Sequence, residues 1–225
     1  MTVLTWEQAT ALAEAHSERF RTLIYVAIDT GMRWSELVGL RRKRVDIARR
    51  KIRVVEQLIR LEGGRWVRRP PKTDAGTRTV TVSGAVAAML ADHLDRFVSP
   101  EPDALVFGNA AGRPLAHSSF QTHHFKNAQL ATGVRCRFHD LRHTSVALAI
   151  ADGAHPKAIQ VRMGHSSIRV TFDVYGGVLP EVEKQVTEQL AGLFAYPCGA
   201  NVVQKALAGP VQRASDTSDQ RFHEI

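Results

Sequence analysis

His139-Asp140-Leu141-Arg142-His143-Thr144 is the stretch on which the reading of this chain turns. Residues three apart on a helix share a face, so His139 and Arg142 point the same way. His139 and His143, four apart, have metal-ligand spacing. The turn between them carries the cation Arg142, however, and lacks the glutamate of an H-E-x-x-H site. An imidazole and a guanidinium on one face suit an anion instead, because the guanidinium is permanently charged and grips two oxygens at once. Taken alone, His139 is equally an N-cap histidine, and Arg142 a solvated or ion-paired cation.

Working outward, three further blocks supply the rest of such a site. They are Thr30-Gly31-Met32-Arg33-Trp34-Ser35-Glu36-Leu37, then Pro71-Lys72-Thr73 with Arg78-Thr79-Val80, and Met163-Gly164-His165-Ser166-Ser167 followed by Thr171 and Tyr175. Attack on a phosphodiester builds negative charge, and fixed cations facing its equatorial oxygens lower that barrier. A tyrosine phenol, with a reference pKa of about 10, needs those cations to attack at neutral pH. The chain has three tyrosines. Tyr25 lies mid-helix in an apolar run and Tyr196 near the tail, which leaves Tyr175. Singly, each residue has a plain reading: Lys72 as a solvated loop lysine, His165 as a helix C-terminal histidine favoured by the dipole, Tyr175 as a packed helix-end residue. Glu36, one turn after Arg33, reads as a carboxylate orienting that arginine or the lysine region, and Asp140 as one serving the helix start.

With these blocks in this order, the chain resembles the catalytic domain of the tyrosine recombinases, the phage integrase family, over roughly Leu4 to Glu181. The resemblance implies a mainly α fold with a small three-stranded antiparallel β-sheet. It implies cutting and rejoining of DNA strands at specific sites through a 3′-phosphotyrosyl link, with no cofactor, metal or ATP. Its catalytic set would be Arg33, Lys72, His139, Arg142, His165 and Tyr175. Tyr175 would be the nucleophile and Lys72 the general acid for the leaving 5′ oxygen. The implied partner is double-stranded DNA, bound by four copies of a chain that is monomeric when free. Two positions depart from the family pattern: Met163, where leucine is frequent, and Gly177, where histidine is frequent. The family's N-terminal core-binding domain is not seen in this chain, which reads as a fragment or a truncated product: a catalytic domain over 1–195 and a flexible tail over 196–225. The competing classes are a type IB topoisomerase, a non-catalytic DNA-binding fragment and a histidine-based metal hydrolase.

Composition agrees with a polyanionic partner. Lys+Arg number 30 against Asp+Glu 22, for a net +8 and a sequence pI near 10.0. Arg41, Arg42, Lys43, Arg44, Arg68 and Arg69 read as candidates for DNA-backbone contacts, which position a duplex without reading its sequence. A solvated charged face is the plain alternative. A 44% hydrophobic content supports an ordinary core. Cys136 and Cys198 form no metal-like pair and suit free thiols in a reducing cytoplasm. No apolar run approaches the roughly 20 residues of a membrane span.

Thr5-Trp6-Glu7-Gln8 is a capping box opening a helix to about His16. Helical spacing runs from Arg19 to Thr30, ends at Gly31, and resumes briefly from Ser35 to Leu40. Strands are predicted over Lys51–Ile59, Arg65–Arg69 and Thr77–Val82, with a tight turn at Gly63-Gly64 and Lys72 on the sheet's outer turn. Further helices are predicted over Gly84–Phe97, His117–Ala131, His139–Ala151, Pro156–Met163, Ile168–Tyr175 and Pro180–Leu193. Glu101–Pro114 is a loop, and the pattern fails beyond Ala195.

Overall fold

The structure is a computed structural model that describes residues 2–167 and Arg169. Apart from Arg169, the predicted helix over Ile168–Tyr175 lies outside the described residues, as do Tyr175 itself, the predicted helix over Pro180–Leu193 and the tail. Helix α1 (Trp6–Glu14) starts at the predicted capping box, in which Thr5 accepts from the Gln8 amide and the Gln8 side chain accepts from the Thr5 amide. Helix α2 (Glu18–Thr30) is stopped by Gly31, whose φ of 62° is left-handed. The short α3 (Trp34–Val38) follows, with Arg33 as its N-cap.

The strand region corrects the sequence reading. Lys51–Ile59 is two strands, β2 (Lys51–Val54) and β3 (Gln57–Arg60), which belong to different sheets. With β1 (Val45–Asp46) and β5 (Arg78–Thr81), β2 forms a three-stranded antiparallel sheet of order β1-β2-β5. Strand β3 pairs instead with β4 (Trp66–Arg69) as a separate hairpin, closed through Gly63 and Gly64 at positive φ. The break falls at Val55-Glu56, where the Glu56 carboxylate takes Arg41 at 3.0 Å and Arg68 at 3.2 Å. Strand β4 stops because Pro70 and Pro71 have no N–H for pairing. Lys72 therefore sits in the connection that passes from hairpin to sheet, not on the rim of a single sheet.

Helix α4 (Gly84–Phe97) is followed by a loop, α5 (His117–Phe120), one π-helical turn over Gln121–Phe125, and α6 (Lys126–Thr132). The predicted helix over 117–131 is thus interrupted by a bulge. Helices α7 (Asp140–Ala151) and α8 (Pro156–Met163) match their expected spans closely, with His139 as the N-cap of α7. Leu23, Ile24 and Val26 of α2 are completely buried where it packs among α1, α4 and α7, and Leu90 and Leu141 are equally buried. A smaller cluster, Val146, Ile150, Ile159 and Met163, seals α8 against α7. Among the described residues no helix is long and apolar enough to cross a membrane.

Candidate active site

The site forms where three helix ends and one strand connection meet. Arg33 begins α3, and Glu36 on the next turn bends back to it. The Glu36 carboxylate accepts from the Arg33 amide at 3.0 Å and from the Arg33 guanidinium at 3.1 Å. Arg33 keeps 40% of its side chain exposed, whereas Glu36 keeps 2%. Glu36 thus touches Arg33 through both its backbone and its side chain.

Lys72 lies exposed in the β4–β5 connection, which folds tightly enough that a Cβ on Gly76 would strike Pro71. His165 follows Gly164, the left-handed C-cap of α8, and is buried. Arg33, Glu36, Lys72, Gly164 and His165 line one cleft of about 420 Å³. Gln57, which lines it too, donates to the Pro70 carbonyl at 3.1 Å, just ahead of the lysine.

Arg142 does not line that cleft; it sits deeper, 4% exposed, on the first turn of α7. One guanidinium nitrogen donates to the Gly31 carbonyl and the other to the Met163 carbonyl at 2.7 Å. Those carbonyls belong to the ends of α2 and α8, so a single charge ties both helix C-termini, where the dipole favours a cation. Burial, then the charge of Arg33, pushes the Arg142 guanidinium down to about 9, with Glu36 opposing, and it stays protonated at neutral pH. Burial, then the charges of Arg142, Arg33 and Arg78, pushes the His165 imidazole down to about 4. His165 is therefore a neutral ring at physiological pH, able to hydrogen-bond without adding charge. His139 keeps an exposed edge and packs edge-on against His143 at 5.0 Å; partial burial of the ring, then the His143 charge, lowers it. Among the described residues no three His, Cys, Asp or Glu side chains converge as a metal site.

Asp140 is buried and accepts from the Arg137 amide at 2.8 Å and from its guanidinium at 2.9 Å, fixing the turn that enters α7. Burial raises its carboxyl, but the Arg137 bonds outweigh this and leave it below the usual range. The basic candidates divide. Arg41 is buried on Glu56 and Asp103, and the half-buried Arg42 donates to the Leu94 and Val98 carbonyls, so both are tied into the fold. Lys43 pairs with Asp103 at 2.7 Å, and the Arg44 Nε is buried. Arg68 and Arg69, on β4, are exposed. Tyr25 donates to Glu14 at 2.8 Å, and burial pushes its phenol up to about 12, the wrong direction for a nucleophile.

One residue was missed as part of the site. Arg78 opens β5, is 8% exposed, and meets Glu36 through two nitrogens at 3.2 and 2.9 Å. Burial raises the Glu36 carboxyl, but the Arg78 bonds and charge, then those of Arg33, hold it below the usual range. A signal was present: Arg78 has the strand parity of Val80 and Val82, all three buried, and a charge at inward parity must be paired.

The family model for the phage integrase family matches residues 2–181. The chain belongs to the phage integrase family. Among its relatives is a prophage phiRv2 integrase of Mycobacterium tuberculosis, 31% identical over 165 residues that cover 72% of this chain and 44% of that protein. The integrase of Mycobacterium phage D29 is 34% identical over 174 residues, covering 75% and 46%. The chain thus spans about half the length of these family members. The Tn1549 transposon integrase, solved in complex with transposon right end DNA, superposes with a TM-score of 0.68 at 24% identity, covering 81% of this chain and 65% of that one. The fold is therefore that of an integrase-family catalytic domain, mainly helical with small antiparallel sheets.

Proposed function

We propose that this chain carries the catalytic domain of a site-specific DNA recombinase of the integrase type. The observation that carries the reading is the cleft joining Arg33, Lys72 and His165, with the Arg142 charge fixed behind it. Such a cluster matches the needs of a phosphoryl group better than a carbonyl or a metal: permanent cations for the equatorial oxygens, a neutral imidazole to hydrogen-bond, and an ammonium at the edge.

In this reading the Tyr175 oxygen attacks the scissile phosphorus. The phosphorus–O5′ bond breaks as the phosphorus–phenol bond forms, and Lys72 hands a proton to the departing 5′ oxygen. The phenol proton passes to His139 or solvent. Arg33 and Arg142 hold the charge that builds between these events. A second strand's 5′ hydroxyl reverses the step, so the phosphodiester energy is conserved without a nucleotide cofactor. The partner is double-stranded DNA, and recombination would bring four copies together in the cytoplasm. Membership of the family and the DNA-bound state of the Tn1549 relative support this reading.

The test is covalent capture. The 225-residue chain is mixed in EDTA with nicked, labelled DNA from candidate attachment sites, and a denaturation-resistant adduct is sought. An adduct lost in Tyr175→Phe is the expected result. An adduct that persists in that variant moves the nucleophile elsewhere. DNA binding with no adduct, in this chain and in a longer one, would leave a binding protein only.

A further inference from the structure

We infer that Arg78 is the positioning residue that sets the Lys72 connection and the His165 corner against Arg33. The assignment rests on the reading of the cleft as a phosphoryl-transfer site. Its basis is what the guanidinium touches. Two nitrogens bond Glu36, which in turn holds the Arg33 backbone and side chain. One of these also donates to the Gly76 carbonyl at 3.0 Å, inside the connection that carries Lys72. The Nε donates to the Arg162 carbonyl at 2.8 Å, in the last turn of α8 before His165. A single planar fork therefore spans three separate pieces of chain, each bearing one of the cleft's ionisable groups.

The packing around it leaves no slack. A Cβ on Gly164 would sit 2.7 Å from the Ala75 carbonyl and 3.1 Å from the Arg78 Cδ and Nη1, so α8 ends directly on the connection. Lysine could not replace this arginine, because a lone ammonium cannot reach carboxylate and two carbonyls in fixed planar directions. Arg78 itself does not line the cleft, so its effect on chemistry must pass through the groups it holds.

The test uses the full chain with Arg78→Lys and with the pair Glu36→Leu/Arg78→Met. Replacing both members of a buried ion pair by apolar residues of similar size is frequently neutral for stability. The double variant therefore keeps the test alive if the single one unfolds. Backbone hydrogen exchange is read first. The Gly76, Thr77, Gly164 and His165 amides, all hydrogen-bonded within these pieces, should exchange at least about 10-fold faster, while α2 and α4 stay protected. Unchanged exchange at those amides overturns the inference whatever the activity.

Adduct formation is read second. It should fall about 100-fold, the scale expected when a reacting group is misplaced by about 1 Å, with DNA affinity retained. In Arg78→Lys, which keeps Glu36 on Arg33, a substrate with sulfur at the 5′ bridging position should recover most of that loss, since a thiolate departs without a proton from Lys72. A loss that sulfur does not recover overturns the assignment to Lys72 positioning. If neither the unaltered chain nor a longer one forms an adduct while the exchange result holds, the recombinase reading fails and the positioning of the connection stands.

Discussion

Burying a charge or an imidazole shifts its protonation, and at His165 the sign can be followed. Its ring titrates near 4 in the folded chain and near the ordinary 6.5 when unfolded. Above 6.5 both states are neutral and the linkage is silent. Between 6.5 and 4 the unfolded chain takes up a proton that the folded chain does not, so stability falls as pH drops through that window. Urea midpoints measured at pH 7 and pH 5 should therefore separate, and His165→Gln should narrow the separation. An equal separation in the variant would assign the slope to the other histidines whose imidazoles burial lowers, such as His16, His93 and His139. Arg41 tests the opposite kind of residue. Arg41→Ala should cost roughly 2 kcal/mol of stability, because it strips cations from Glu56 and Asp103. It should leave the salt dependence of DNA binding alone; a reduced salt slope would return Arg41 to the DNA-facing set.

Helix ends decide the site, and glycines decide those ends. Gly164 and Gly133 both cap helices at positive φ, 65° and 73°. An alanine at Gly133 meets open space and should cost about 1 kcal/mol from backbone strain alone. An alanine at Gly164 adds a clash with Ala75 and Arg78, so it should cost more, and adduct formation should fall with it. Urea unfolding of the two variants side by side checks the ordering. The β3–β4 hairpin makes a separate prediction: Arg69→Ala should lower the slope of log affinity against log salt by about 1, as expected for one lost phosphate contact. The caps, the helices and the parity of single strands were legible in the sequence because they depend on neighbours in the chain. Thr5, Gly31, Pro156 and Gly164 each act locally. The division of Lys51–Ile59 between two sheets was not legible, since it depends on Glu56 meeting Arg41 and Arg68 from elsewhere. For Arg78 the inward parity was legible but the partner was not, since Glu36 lies 42 positions away.

At the scale of the whole molecule, three guanidiniums, Arg33, Arg78 and Arg142, gather around one carboxylate, Glu36. The excess positive charge is unfavourable within the protein alone and favourable once an oxyanion arrives. Sulfate should therefore raise the melting temperature more than chloride at equal ionic strength, and the difference should shrink in Arg33→Ala. A thermal-shift series in the two salts measures it; an identical response in both proteins would place the anion elsewhere.

The anchorage of Arg142 has a genetic corollary. Both of its identified partners are main-chain carbonyls, at Gly31 and Met163. Exchanging Met163 for leucine would alter a side chain and leave the carbonyl in place. No codon specifies these contacts. A screen that truncates side chains would thus credit Arg142, and the two helix ends that aim its charge would register only through mutations that move the backbone, such as those at Gly31 and Gly164.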